Sequence, residues 1–253
     1  MTSLALIVVP CYNEEKRLAP EAFREFVGCT RAQIRFLFVD DGSTDGTWQR
    51  LEELRASCPG AVEIHRLASN CGKAEAVRQG MLKALESQAE YVGFWDADLA
   101  TPLEAIPAFC ACLAEHPRFD MVFGARVQLL GREIERRALR HYLGRVFSTA
   151  VSLVLKLKVY DTQCGAKLFR ASPQLGELFA APFLSPWLFD VEILARLIQR
   201  HRRTGARPPT ETVCEYPLPR WRDVRGSKVR GGDFFTAAFD LFRIYLKYLR
   251  SNP

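Results

Sequence analysis

In the first half of the chain, four short apolar runs each stop at a cluster of polar side chains. Residues 4–9 lead into Pro10-Cys11-Tyr12-Asn13-Glu14, and residues 34–39 into Asp40-Asp41-Gly42-Ser43-Thr44-Asp45. Residues 62–64 are followed by Asn70-Cys71-Gly72-Lys73, and Tyr91-Val92-Gly93-Phe94-Trp95 by Asp96-Ala97-Asp98. Helical patterns separate them: over 21–30, after Asp45 as N-cap with Trp48, Leu51 and Leu54 on one face, and through Ala76, Val77, Met81 and Leu85. A fifth run follows at 121–123. Such alternation predicts an α/β fold, a mostly parallel sheet flanked by helices and joined by right-handed crossovers. Ligands of such sheets gather at the carboxyl ends of the strands. All four polar clusters should therefore meet on one edge.

Beyond Gly124 the pattern changes. A long helix is expected over 136–158, basic at its start and apolar through 146–157. Residues 161–170 read as a strand, 190–201 as a helix, 212–216 as a short strand and 233–250 as a helix rich in Phe, Leu and Tyr. No repeat or linker divides the 253 residues, so one domain over 1–253 is expected. With 48% hydrophobic and 25% charged residues the balance is that of a soluble globular protein. No apolar run approaches the roughly 20 residues of a spanning helix, and residues 4–9 are too short for a signal-peptide core. Eight cysteines without a Cys-x-x-Cys pair or zinc spacing point to a reducing, cytoplasmic setting, with Cys110 and Cys112 read as buried thiols.

The net charge of +6 is unevenly placed. Arg126, Arg132, Arg136, Arg137, Arg140 and Arg145 crowd one stretch; Arg220, Arg222, Arg225, Lys228 and Arg230 crowd another. Either these are solvated faces or they form an anion-attracting surface. No nucleic-acid-binding module accompanies them, which argues against nucleic acid. Asp96 and Asp98 likewise read in two ways, as helix-start residues ahead of Pro102 or as hard oxygen ligands for Mg2+ or Mn2+ on a diphosphate. The three other clusters favour the second. Tyr12 would pack on a nucleobase, Asp41 would accept an imide proton, and Lys73 would approach base or phosphates.

With these residues in place, the chain resembles a family 2 glycosyltransferase of the GT-A fold, Rossmann-like with C-terminal amphipathic helices. The motifs are Pro10-Cys11-Tyr12-Asn13-Glu14, Val39-Asp40-Asp41-Gly42-Ser43-Thr44-Asp45-Gly46-Thr47 and Asp96-Ala97-Asp98. More specifically, it is similar to the dolichyl-phosphate β-glucosyltransferases and the related polyprenyl-phosphate mannose and glucose synthases. That narrower likeness rests on Asp161-Thr162-Gln163-Cys164-Gly165-Ala166-Lys167, on Trp187-Leu188-Phe189-Asp190-Val191-Glu192, and on Trp221 with Gly226-Ser227-Lys228. It covers nearly the whole chain. Two positions depart from the pattern: Ala74 and Glu75 stand where relatives often place glycines, and Ala100 where some carry a metal-ligating Gln.

The resemblance implies a nucleotide-sugar-binding half over 1–125 and an acceptor-binding, membrane-facing half over 126–253. The donor would be UDP-glucose first and GDP-mannose second, held by Pro10, Tyr12, Asn13, Glu14, Asp40, Asp41, Ser43, Lys73, Asp96 and Ala97. Asp98, with Asp96, would hold Mg2+ or Mn2+. The acceptor would be a polyprenyl phosphate, met by Arg126, Arg137, Arg140, Gln163, Lys167, Asp190, Ser227 and Lys228, with Asp98, Arg126 and Arg137 carrying catalysis. Trp187 and Phe189 read equally as core. Residues 147–157 and 234–249 are either interfacial helices placing the enzyme peripherally on the cytoplasmic face of a membrane, or buried helices. Two rivals stand: a transferase acting on a saccharide hydroxyl, with Asp161 or Asp190 as general base, and a non-catalytic nucleotide-sugar-binding protein.

Overall fold

A computed structural model of the protein describes residues 5–30, 33–135, 138–224 and 233–250. The elements in chain order are β1 Ala5–Cys11, α1 Pro20–Cys29, β2 Ile34–Asp40, α2 Thr47–Ser57, β3 Val62–Arg66, α3 Lys73–Leu85, β4 Tyr91–Trp95, α4 Ala105–Glu115 and β5 Met121–Ala125. There follow β6 Glu133–Glu135, α5 Ala138–Leu155, β7 Ala166–Arg170, α6 Pro173–Ala180, α7 Phe189–Thr204, the short α8 Pro209–Thr212, β8 Val213–Pro217, β9 Arg220–Arg222 and α9 Asp233–Ile244. A π-helical turn, Tyr245–Leu249, continues α9.

Seven strands form one sheet in the order β3-β2-β1-β4-β7-β5-β8. All neighbours run parallel except β7, which is antiparallel to both β4 and β5. The segment 161–170 is thus a strand only from Ala166 onward, and it is the antiparallel member of an otherwise parallel sheet. Its reversal carries residues 161–165 to the edge where β4 and β5 finish.

The sheet is buried on both faces, which is why its strands read as unbroken apolar runs. Side chains alternate between two cores. Leu6 and Val8 of β1, Leu37 and Val39 of β2, and Val92 and Phe94 of β4 pack with α3, α6 and α7. Ile7, Val9, Phe36, Phe38, Tyr91 and Trp95 face the other way, toward Phe23, Leu51, Leu54 and Phe109 of α1, α2 and α4. Cys110 is buried as expected, whereas Cys112 is only half-buried and lies 3.7 Å from Cys214, sulfur to sulfur.

Gly93 shows how tightly the reversed strand is fitted. A methyl on its Cα would overlap the Lys167 carbonyl oxygen, a backbone atom that cannot step aside. Gly93→Ala is expected to cost about 3 kcal/mol of stability in urea denaturation, at the upper end of ordinary overpacking. A loss below about 0.5 kcal/mol would mean that β4 and β7 are not pressed together as described.

Candidate active site

The loops leaving β1, β2 and β3 are tied to one another by the polar residues that end those strands. Asn13 takes a positive φ of 52°, which Asn tolerates better than most residues. Its backbone N–H donates to Ser43 Oγ at 3.0 Å, and its Oδ1 accepts the Thr44 N–H at 2.9 Å. The Glu14 N–H donates to Thr47 Oγ1 at 2.8 Å, and its carboxylate pairs with Arg17. Asp40, wholly buried, accepts the Ser43 N–H at 3.1 Å and faces Arg66 Nε at 3.1 Å. Asp41 accepts the N–H groups of Cys71 and Gly72 at 2.7 and 2.8 Å, and Asn70 Nδ2 at 3.1 Å. Burial pushes the Asp41 carboxyl up despite those donors.

The expected donor-binding residues Asn13, Glu14, Asp40, Asp41 and Ser43 are therefore brought together, and each already fastens a loop. A cleft of about 500 Å³ opens beside them, lined by Gly42, Ser43, Thr44, Arg66, Leu67 and Ala68. Arg66 lies over Trp48, 5.1 Å from the ring centroid. Sequence reasoning missed Arg66. Its signal, a basic residue ending β3 opposite a buried Asp, appears only once the strands are paired.

At the end of β4 the charges alternate. Asp98 Oδ1 accepts the Ala100 N–H at 3.1 Å; burial, then the Asp96 charge, hold its carboxyl above the ordinary value. Asp96 Oδ1 lies 2.5 Å from Lys73 Nζ. Burial alone would pull Lys73 down, but the Asp96 and Asp190 carboxylates outweigh it and hold the ammonium above the usual lysine range. Asp190, nearly buried at the start of α7, sits 2.7 Å from Lys167 Nζ. Burial raises its carboxyl, opposed by Lys167 and Lys73. Lys167 is fully buried and also donates to the Cys164 and Thr162 carbonyls at 2.6 and 3.2 Å. It lies beneath the site rather than on its wall.

Asp96 rests on glycine. A Cβ at Gly165 would overlap its carboxylate, and the Asp96 N–H donates to the Gly165 carbonyl at 2.9 Å. The neighbouring Gln163 is half-buried, with its Nε2 atom buried and lacking a hydrogen-bond partner among the described residues.

On the far side Arg126, just past β5, is held bidentately by Asp161. Nε and Nη2 donate to Oδ2 and Oδ1 at 2.5 and 2.7 Å, and the Arg126 N–H adds a third bond at 3.1 Å. The guanidinium lies over Trp221, 5.1 Å from the ring centroid. Burial works against its charge; Asp161 more than restores it. Glu215 of β8 fixes that loop in turn, accepting the N–H groups of Tyr160 and Asp161 at 2.9 and 2.5 Å. Neither the Arg126–Asp161 pair nor the role of Glu215 was visible in the sequence.

The donor set at Asp96 and Asp98 fits a divalent cation. Two hard carboxylates stand two residues apart, and the half-buried Asp98 carries repulsion that such a charge would relieve. No group of three or more protein ligands occurs among the described residues. A cation here would complete its shell from substrate oxygens and water, as Mg2+ commonly does.

Comparison with known proteins follows the same lines. Residues 6–174 match the family model described as glycosyl transferase family 2. The chain belongs to this family. Dolichyl-phosphate beta-glucosyltransferases of Saccharomyces cerevisiae and Mus musculus are 30% and 31% identical to it, over 96% of this chain and 74% and 75% of theirs. Glucosyl-3-phosphoglycerate synthase from Mycobacterium tuberculosis, in complex with Mn2+, UDP and glucosyl-3-phosphoglycerate, superposes with a TM-score of 0.65 at 18% identity. The match covers 97% of this chain and 80% of that one. The same enzyme with Mg2+ and UDP gives 0.66 at 18%, covering 97% and 79%. The fold is GT-A.

Of the transferase's expected acceptor residues, Arg126, Gln163, Lys167 and Asp190 converge on the β4–β7–β5 edge. Arg140 stands in the first turn of α5. Arg137, Ser227 and Lys228 lie outside the described residues. Trp187 and Phe189 part company: Phe189 is core, while Trp187 is 47% exposed. Removing one partner of a buried pair leaves the other charge uncompensated. Asp161→Asn is therefore expected to lose about 3 kcal/mol in urea denaturation, and adding Arg126→Met should recover part of that loss. Strictly additive losses would show that the two side chains are not coupled.

Proposed function

We propose that the transferase moves a hexose from a nucleotide sugar to the phosphate of a polyprenyl lipid, dolichyl phosphate or a close analogue, with inversion at the anomeric carbon. UDP-glucose is the favoured donor and GDP-mannose the second. The names of the relatives support the glucosyl donor and the lipid acceptor. The observation that carries the reading is electrostatic. Asp161 and Asp190, the carboxylates that a hydroxyl acceptor would need as general base, are each bound to a cation, Arg126 and Lys167. A phosphate monoester has a second pKa of about 6 and is largely ionised at neutral pH. It attacks without a base.

On this reading the first half of the chain binds the donor. Tyr12 packs on the base; Pro10, Asn13, Glu14, Asp40, Asp41 and Ser43 shape the nucleotide cleft, and the backbone at Ala97 borders the ribose. Asp98 and Asp96 hold Mg2+ or Mn2+, which when bound supplies Lewis-acid stabilisation of the departing diphosphate. Lys73 adds a second positive charge on that side. Arg126 keeps N–H groups beyond those given to Asp161, and arginine's planar fork suits phosphate oxygens. It steers the acceptor in line, with Arg137, Arg140, Ser227 and Lys228 completing the anion site and Gln163 lining it. Positioning and charge supply most of the acceleration.

The assay is direct. With radiolabelled UDP-glucose, polyprenyl phosphate and Mn2+, label is expected in the organic phase. Asp98→Ala and Arg126→Ala should each lower the rate by about 100-fold or more, and chelation by EDTA should abolish it. Label confined to water-soluble saccharide would instead establish the hydroxyl-acceptor rival.

A lipid acceptor also needs a membrane face. No helix among the described residues is long and apolar enough to cross a bilayer. Val146 and Leu153 of α5, and Phe239, Phe242 and Leu246 on α9 and its π turn, are exposed, Leu153 at 74% and Phe239 at 62%. Arg243 and Lys247 interleave with the aromatic residues, the composition of a helix lying in the interface plane. The pair Phe239→Glu and Phe242→Glu is expected to weaken sedimentation with anionic vesicles roughly tenfold or more. Undiminished binding would remove this face from the proposal.

A further inference from the structure

Asp96 is claimed from two sides. It is one of the two carboxylates assigned to the cation, yet its Oδ1 already lies 2.5 Å from the Lys73 ammonium. An ammonium and a divalent cation on one carboxylate repel each other strongly at this range. One must withdraw when the other arrives.

Of the two lysines beside the site, only Lys73 is free to withdraw. Lys167 is 1% exposed and bound to two carbonyls and Asp190. The Lys73 side chain is 37% exposed. It opens α3 directly after Gly72, whose φ of 90° turns the chain out of the loop. Asp190, which follows Phe189 at the start of α7, adds a second carboxylate on that side, and the Phe189 ring centroid lies 5.9 Å from Lys73 Nζ. The Asp190 carboxylate gives Oδ1 to Lys167 and so has another oxygen to offer.

We propose that Lys73 is a place-holding cation. In the free protein it neutralises Asp96; when the donor's diphosphate arrives with its metal ion, the ammonium leaves Asp96 for the donor's phosphate oxygens, with Asp190 alongside. The inference rests on the donor and cation reading given above. It has a thermodynamic consequence beyond the bond between metal and diphosphate. By drawing the ammonium away, the nucleotide uncovers Asp96, so each ligand tightens the other, and the coupling is reciprocal.

Mn2+ titrations followed by electron paramagnetic resonance, on the full chain with and without UDP, test this. Two neutral variants, Lys73→Met and Lys73→Gln, guard against one that folds poorly, with far-UV circular dichroism as the check. Without UDP both are expected to bind Mn2+ about tenfold more tightly than wild type. The factor by which UDP tightens Mn2+ binding should shrink about tenfold, and Lys73→Arg should keep the weak wild-type affinity. Neutral variants that match wild type without UDP overturn the place-holding role, while the donor and cation reading stands. A wild-type protein that takes up no Mn2+ even with UDP overturns both.

Discussion

Antiparallel insertion of β7 between β4 and β5 brings the start of one strand to the edge where its neighbours finish. The charged pairs at the β7–β5 end of the site, Arg126 with Asp161 and Lys167 with Asp190, depend on that reversal. Were β7 parallel, residues 161–165 would reach the opposite edge, and Arg126 would emerge from β5 with no carboxylate to hold it. As built, Asp161 receives the guanidinium and Gly165 makes room for the Asp96 carboxylate. Lys167, first side chain inward from the mouth on that face, reaches up to Asp190. The fit leaves no slack, since Gly93 passes directly against the Lys167 carbonyl.

The charges across this edge alternate in sign, and that ordering is what makes their burial tolerable. An isolated ionised group in an apolar interior would cost many kcal/mol and would neutralise instead. Each group here has an opposite partner within hydrogen-bond distance: Lys73 with Asp96, Lys167 with Asp190, Arg126 with Asp161. Asp98 accepts the Ala100 N–H but pairs with no cation in a salt bridge among the described residues, and burial with the neighbouring Asp96 charge raises its carboxyl. A positive charge placed beside Asp98 would relieve that repulsion.

How much of this was legible in the sequence depends on whether the signal is local. Strands buried on both faces announce themselves as apolar runs, so β2 and β4 were found nearly to the residue. The polar clusters following β1 to β4 marked the mouth for the same reason. Direction is another matter, because an apolar run reads the same either way, and the reversal of β7 left no trace in its own composition. Partnerships across distance were equally hidden. Arg126 and Asp161 stand 35 residues apart, and Glu215 reaches the same loop from β8. The pairing of β6 with β9 was missed because three residues are too few to show a period. Trp187 and Phe189 occupy one motif, yet one is exposed and the other is core. The start of a helix turns neighbouring side chains to different faces, so residue type alone does not separate them.

The loop that precedes Asp190 is anchored from behind by a second buried polar group. Glu192 is wholly buried; it accepts the Leu184 N–H, Arg196 Nη2 and the Tyr248 hydroxyl, each at 2.7 Å. Arg196 donates in addition to the carbonyls of Leu178, Ala181 and Pro182. Tyr248 belongs to the π turn that continues α9, and Arg243 of α9 donates to the Leu184 carbonyl at 3.3 Å. Burial and the Glu192 carboxylate push the Tyr248 hydroxyl up to about 12, so it remains a donor. The helix proposed to lie on lipid is thereby hydrogen-bonded to the segment that leads into Asp190, and Asp190 acts on both lysines. A displacement of α9 cannot leave the α6–α7 loop in place without breaking bonds to a fully buried carboxylate, which is costly. Helix α9 and the charged edge of the sheet are therefore joined through one buried carboxylate, Glu192, and the hydrogen bonds that converge on it.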